Sequence, residues 1–150
     1  GTQLNPDRGP AIVNWPERLY DDPHWPPQHY ENGVRKNEAT SRTYKGVVRI
    51  LKKLKHVLLE RGVLEAQSIP GFLVECMVWN VPNADLVHDT WDANVQAALL
   101  YIWSKTKTIE TCAGWSEVSE LKSLFLDAPS AKLQQAQSFV NTAWDYIGVR

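Results

Sequence analysis

Residues 40–61 constrain the fold more than any other segment, because two sets of side chains recur there with the spacing of a helix. Apolar residues recur every three or four positions and so share one face: Tyr44, Val47, Leu51, Leu54 and Leu58. Basic residues recur in the same way on another face: Arg42, Lys45, Arg49, Lys52 or Lys53, and His56. We therefore predict one long helix from Thr40 to Arg61. Asn37 and Thr40 are candidate caps for its start, and Gly62 follows its last turn as a C-terminal glycine does.

The charge of the chain is unevenly distributed. Of 16 Lys and Arg residues, nine lie in residues 35–61 beside only Glu38 and Glu60, which gives that segment a net charge of +7. The remaining seven basic and fifteen acidic residues give −8. The near-neutral total predicts no general affinity for nucleic acid. The basic helix face is either a solvated surface or a binding surface for an anion.

Length and composition indicate one globular domain. In 150 residues, 43% are hydrophobic and seven are tryptophan, which is enough for a core rich in aromatic packing. Cys76 lies in an apolar run and is predicted to be a reduced core thiol, so we expect a cytoplasmic protein. We find no signal peptide and no apolar stretch long enough for a bilayer. Gly1 in place of methionine suggests that the chain is a piece of a longer protein.

The sequence divides into an arm and a helical domain. Residues 1–33 contain most of the nine prolines, and we predict an irregular arm there. Residues 34–150 are predicted to be helical, since no segment shows the alternation of strands. Besides the helix at 40–61, the predicted helices are Ile69–Asn80 with Ser68 as cap and Pro70 in the first turn, Thr90–Lys107, a short helical turn at 116–125, and Ser130–Gly148. The predicted fold class is mainly α, a compact bundle of four to five helices with a Pro-rich N-terminal arm.

Common catalytic patterns are absent from the sequence. The four histidines have no metal-ligand spacing, and two cysteines 36 residues apart do not form a zinc site. There is no phosphate-binding GxxxxGK[ST] loop and no GxSxG motif. No cluster of carboxylates for two-metal phosphoryl transfer is visible. We therefore predict no catalytic residue and no metal site in this chain.

Four segments together resemble a known family. These are NGVRKNEATSRTYKGVVRILKKLK at 32–55, SIPGFLVECMVWNVPN at 68–83, GWSEVSELKSLF at 114–125 and FVNTAWDYIG at 139–148. In order and spacing they resemble the C-terminal part of bacterial cGAS/DncV-like (CD-NTase, OAS-like) nucleotidyltransferases, which make nucleotide second messengers in CBASS anti-phage defence. The resemblance covers roughly residues 9–148 and implies a helical domain that packs on a catalytic palm. In that family the palm carries a Gly-Ser loop and three acidic residues that bind Mg²⁺, and no part of this chain matches them.

The resemblance also implies a binding site for a nucleoside triphosphate. Lys52 stands where a lysine of the long helix contacts the donor triphosphate, and Arg49 and Lys45 would extend the positive surface. Phe72 stands where an aromatic residue stacks on a base. Gly71 departs from the family, which has a serine that touches the triphosphate there. The backbone N–H groups at a helix N-terminus can still bind phosphate.

Three hypotheses follow for the function. By resemblance the chain is the nucleotide-positioning C-terminal domain of a cyclic-oligonucleotide synthase and is not catalytic by itself. Its partners would be nucleoside triphosphates and the palm domain, and the palm would bind Mg²⁺. Alternatively, it is a stand-alone helical binding or regulatory module, which we expect to be a monomer with saturable ligand binding. Thirdly, it is a structural fragment whose exposed palm-facing surface would lead to self-association.

Overall fold

The computed structural model describes residues 27–63 and 69–148. Within these ranges the chain forms six α-helices and one 3-10 helix. In chain order they are α1 (Pro27–Ala39), α2 (Thr43–Glu60), α3 (Gly71–Trp79), a 3-10 helix (Asn83–Leu86), α4 (Trp91–Lys105), α5 (Ile109–Cys112) and α6 (Pro129–Gly148). No strand is present in the described ranges, where pairing is limited to an isolated bridge between Ser116 and Ser123. The prediction of a mainly α fold is confirmed.

Helix α2 is the central helix of the bundle. It contacts α1, α3, α4 and α6, and the predicted apolar face is the one that it buries. Tyr44, Val47, Leu51 and Leu58 are fully buried, and Leu54 packs against the same core from a half-buried position. Helix α2 lies at the centre because its apolar stripe is buried against four other helices.

The start of α2 is capped from the preceding turn. The side-chain oxygen of Asn37 accepts a hydrogen bond from the backbone N–H of Lys45 at 3.0 Å, and the hydroxyl of Thr40 accepts one from Tyr44 at 3.0 Å. Both predicted caps are confirmed, since each satisfies an N–H group that has no partner inside the helix. The helix itself begins at Thr43, later than predicted, because Ser41 and Arg42 have φ angles of 54° and 73°. Such angles interrupt a right-handed helix.

The remaining long helices lie close to their predicted bounds. Helix α3 is apolar on most sides and buries Leu73, Val74, Cys76, Met77 and Val78, as its composition predicts. Pro70 is the residue before α3 and not part of its first turn. The predicted cap Ser68 lies outside the described residues. Helix α4 is capped by the Thr90 hydroxyl, which accepts from the N–H of Ala93 at 3.1 Å.

A close approach between α2 and α4 occurs at Gly46. The far edge of the Trp91 indole lies against this glycine, so that a Cβ atom added there would be 2.3 Å from the Cη2 atom of the ring. About half of the surface of Trp91 (49%) is exposed. The indole packs across α2 instead of into the core.

Two predictions of local structure are wrong. The arm predicted for residues 1–33 is helical from Pro27 onward, because proline in the first turn loses no helical hydrogen bond and His29 and Gly33 are buried along α1. Residues 1–26 of that arm lie outside the described part. The helical turn predicted at 116–125 is irregular instead, and Glu120 has a φ angle of 64°.

Side chains from α1, from α6 and from the residue that follows α3 hold this irregular segment in place. The amide of Asn80 accepts from the N–H of Ser116 at 3.3 Å and donates to its carbonyl at 2.8 Å. Asn32 of α1 donates to the carbonyl of Val118, and Lys132 of α6 donates to that of Leu124. Trp115, Val118 and Phe125 are buried and attach the segment to the bundle. Non-local hydrogen bonds therefore replace those of a helix.

Candidate functional site

Lys52 of α2 lies beside the first residue of α3. A Cβ atom built on Gly71 would lie 3.5 Å from Cε of Lys52 and 4.0 Å from its Nζ. The Lys52 side chain is 38% exposed, so a ligand in solvent can reach it. The N-terminal end of a helix carries N–H groups without helical partners and a partial positive charge, both of which favour anions. The fold thus places a lysine ammonium next to a helix N-terminus.

Glu75, one turn further along α3, contacts both α1 and α2. Its Oε1 atom lies 3.5 Å from Nζ of Lys52, and its Oε2 atom lies 3.2 Å from Nε2 of His29. Burial alone would raise the pKa of Glu75, but the hydrogen bonds and charge interactions with His29 and Lys52 outweigh burial and lower it below the usual value. Glu75 is therefore an ionised carboxylate that links three helices.

The ring of Phe72 stacks on the imidazole of His29. The two ring centroids are 5.8 Å apart and the planes differ by 22°. Phe72 is half-buried and packs against the core, while His29 is buried. Residues 72 and 75 are three apart on α3, so the aromatic ring and the carboxylate share a face. An aromatic side chain, a lysine and a helix N-terminus thus lie together at this place.

The five predicted site residues do not all lie at the start of α3. The structure brings Lys52, Gly71 and Phe72 together at the start of α3. Lys45 lies two turns earlier on α2, with its Nζ atom 5.7 Å from the centre of the Tyr30 ring of α1. Arg49 is exposed between Lys45 and Lys52 on the same helix face. Roles for Lys45 and Arg49 in binding remain predictions.

The neighbouring Lys53 lies elsewhere. It lines a separate open groove of about 720 Å³ with Leu54, Arg61 and Tyr146. Lys52 and Lys53 are adjacent in sequence, but a helix rotates by roughly 100° per residue, so they face different surroundings. This difference makes Lys53 a natural comparison for Lys52.

The sequence alone does not identify His29 and Glu75 as part of this site. The prolines around His29 indicate an irregular arm and conceal the helix that begins at Pro27. Glu75 carried a usable signal, since it is the one charged residue in the otherwise apolar run GFLVECMVW. A carboxylate within a buried helix requires a charged or hydrogen-bonding partner. This requirement predicts a partner for Glu75 but does not identify which helix supplies it.

Neither a metal centre nor a membrane helix occurs in the described ranges. No three His, Cys, Asp or Glu side chains of residues 27–63 and 69–148 are grouped so as to hold a metal ion. None of the helices in this part of the chain has both the length and the hydropathy needed to cross a bilayer. The compartment of the protein remains a prediction.

Comparison with known proteins identifies the family. Residues 31–148 match the family described as the cGAS/DncV-like nucleotidyltransferase C-terminal helical domain. This match spans most of the chain, and the chain therefore belongs to that family. The resemblance predicted from the sequence is confirmed.

Relatives and solved structures agree with this assignment. A cyclic dipyrimidine nucleotide synthase, CdnE, of Legionella pneumophila is 35% identical over 147 residues, which are 98% of this chain and 45% of the relative. A cyclic dipurine nucleotide synthase of Elizabethkingia meningoseptica is 32% identical over 148 residues, 99% of this chain and 46% of the relative. The structure of E. meningoseptica CdnE cyclic dinucleotide synthase with GTP and Apcpp has a TM-score of 0.74 and 31% identity, covering 83% of this chain and 45% of that one. The chain thus spans less than half the length of these relatives.

Proposed function

We propose that this chain is the nucleotide-positioning domain of a nucleotidyltransferase that joins nucleoside triphosphates into a cyclic oligonucleotide. The observation that carries the proposal is the position of Lys52 beside the N-terminus of α3, next to Phe72. Lysine and helix N–H groups suit a triphosphate, and an aromatic ring suits a base. One small site thus offers groups for both parts of a nucleotide.

The relatives support the same assignment. The E. meningoseptica protein of similar structure was solved with GTP and Apcpp. The Legionella pneumophila relative is described as a cyclic dipyrimidine nucleotide synthase and the E. meningoseptica relative as a cyclic dipurine nucleotide synthase, so relatives with similar identity to this chain differ in the bases they join. We propose that this domain contributes triphosphate binding and base stacking, while base selection depends on the rest of the enzyme. The wider role in CBASS anti-phage defence in the cytoplasm is part of this proposal.

The chemical step is assigned to an N-terminal palm that packs on this domain. The described residues offer no carboxylate cluster for Mg²⁺, so no step of the proposal passes through a metal bound by this chain. Mg²⁺ belongs, in this proposal, to the palm of the intact enzyme. The part played by this domain is positioning and electrostatic stabilisation of the triphosphate.

Charge reversal of Lys52 tests the triphosphate site. Isothermal titration of the chain with ATP and with inorganic tripolyphosphate is expected to show saturable binding that Lys52→Glu abolishes. Lys53→Glu makes the same charge change at the adjacent residue, which faces the separate groove. It is expected to weaken binding only through the general field of the protein. Equal affinities of the wild type and Lys52→Glu would exclude the proposed site.

Truncation of Phe72 tests the base-binding part separately. Loss of base stacking costs about 1–3 kcal/mol, so Phe72→Ala should weaken ATP binding roughly five- to hundredfold. Because tripolyphosphate has no base, its affinity should change much less. Melting temperatures of both variants control for loss of packing, since Phe72 also contacts the core. A parallel loss of affinity for both ligands would contradict stacking on Phe72.

A further inference from the structure

One carboxylate connects the two parts of the proposed nucleotide site. Glu75 contacts Lys52 with one oxygen and His29 with the other, and His29 in turn stacks on Phe72. The Glu75 side chain is 24% exposed, less than that of Lys52. Three helices therefore meet through a single acidic group, at a place where an anionic ligand is proposed to bind.

An acidic group at such a place requires an explanation. A carboxylate near a bound triphosphate repels it, and the repulsion is stronger in a partly buried site than in water. By repulsion alone, removal of this negative charge would increase the affinity for phosphate. The contacts of Glu75 indicate what offsets this cost.

We infer that Glu75 is a positioning residue, which holds the Lys52 ammonium at the start of α3 and, through His29, fixes the plane of the Phe72 ring. The inference rests on the proposed function, because it assigns Glu75 a role in the same nucleotide site. Glu75 itself does not contact the ligand in this arrangement. It acts on the ligand through the lysine and the histidine.

The physical reason is the flexibility of lysine. An unrestrained lysine side chain samples many rotamers and loses that freedom when it binds phosphate. A lysine already held beside Gly71 has lost part of this freedom before the ligand arrives. Likewise, a Phe72 ring packed on His29 is held in one orientation, and His29 is fixed because its Nε2 atom is bonded to Glu75. Such preorganisation increases affinity without adding a contact to the ligand.

Positioning and simple repulsion predict opposite results for Glu75→Gln. If Glu75 positions Lys52, loss of its charge releases the ammonium, and we expect tripolyphosphate to bind roughly three- to tenfold more weakly. If Glu75 only repels phosphate, the same variant binds more tightly. Glu60→Gln removes one negative charge from the exposed last turn of α2 and serves as the matched control. Unchanged or tighter binding by Glu75→Gln, relative to this control, would overturn the inference.

Two further measurements distinguish positioning of Lys52 from a purely structural effect of the substitution. Glu75→Asp keeps the charge but is one methylene shorter. Positioning therefore predicts weaker binding again, whereas repulsion alone predicts no change in affinity. Its result decides the matter if Glu75→Gln does not fold. In addition, the ¹⁵Nζ resonance of Lys52 in the free protein should shift in Glu75→Gln or Glu75→Asp. A resonance that stays in place would show that Glu75 does not hold Lys52 and would overturn the inference.

The outcomes distinguish this inference from the proposed function. If the wild-type chain binds neither ATP nor tripolyphosphate, or if Lys52→Glu binds as well as the wild type, the proposed function fails and the inference fails with it. If the wild type binds, Lys52→Glu does not, and the Glu75 variants bind as well as the wild type, only the inference fails.

Discussion

Replacing Gly71 with serine should improve the proposed phosphate site. The structure has room for the change, because a Cβ atom at residue 71 lies 3.5 Å from the nearest atom of Lys52, an ordinary van der Waals separation. Gly71 is the first residue of α3, so the new hydroxyl would lie beside both the helix N-terminus and the lysine. The change also introduces the residue that the family resemblance places at this position.

The size of the effect follows from the hydrogen bond that the hydroxyl donates. A hydrogen bond to a charged group contributes a net of about 1.5–3 kcal/mol. Since about 1.4 kcal/mol corresponds to a factor of ten in affinity, Gly71→Ser should tighten binding of tripolyphosphate roughly ten- to hundredfold. Calorimetric titration at fixed ionic strength measures this change, with salt held constant because screening affects every phosphate contact.

Gly71→Ala is the matched control for the serine variant. Alanine adds the same Cβ atom and favours a helix by up to about 1 kcal/mol over glycine, but it has no hydroxyl. We expect Gly71→Ala to raise the melting temperature and to leave the affinity for tripolyphosphate unchanged. If Gly71→Ser binds no more tightly than Gly71→Ala, the phosphate does not lie at the start of α3, and its placement beside Lys52 is refuted.

Three predictions concern stability and reactivity. Gly46→Ala should lower the free energy of unfolding in urea by about 1 kcal/mol, because the new Cβ atom displaces Trp91. In a Trp91→Ala background the same change should stabilise the protein through helix propensity. An equal effect of Gly46→Ala in both backgrounds would contradict the clash. Burial raises the pKa of the Cys76 thiol to about 12, so this thiol should not react with disulfide reagents at pH 8 until the chain unfolds. Rapid labelling of Cys76 in the native protein would contradict this prediction. Burial lowers the pKa of Lys36 to about 8. Because the unfolded lysine binds its proton more tightly, the free energy of unfolding should rise between about pH 8 and pH 10.5, and Lys36→Met should lack this rise.

The parts of the fold that sequence predicted well are those set by local periodicity. The buried face of α2 is predictable from the sequence, because residues at helical spacing are buried together when the helix lies in a core. The caps Asn37 and Thr40 were also predictable, since both lie close in sequence to the N–H groups they serve. Local spacing and local hydrogen bonding are visible in a sequence without knowledge of the fold.

Contacts between distant segments account for the failures. Instead of the helical turn predicted at 116–125, the segment is irregular, and Asn32, Asn80 and Lys132 supply partners for part of its backbone from elsewhere in the chain. His29 joins the candidate site across 46 residues of sequence, through Glu75. The grouping of Lys52, Gly71 and Phe72 came from family resemblance, since helical periodicity gives no information on which helix end lies next to which lysine.

The irregular segment between α5 and α6 has a consequence for how the domain opens. Besides the bonds within the segment, the backbone of Ser116, Val118 and Leu124 bonds to the side chains of Asn80, Asn32 and Lys132, which belong to three separate parts of the bundle. A short segment outside the helices would ordinarily exchange its amide hydrogens by small local openings. Here the Ser116 amide is bonded to the Asn80 side chain, which follows α3 and also donates to the Cys76 carbonyl, so we expect it to exchange when the segment separates from the end of α3. Amide exchange at Ser116 therefore measures the attachment of this segment to α3, even though the residue lies outside every helix.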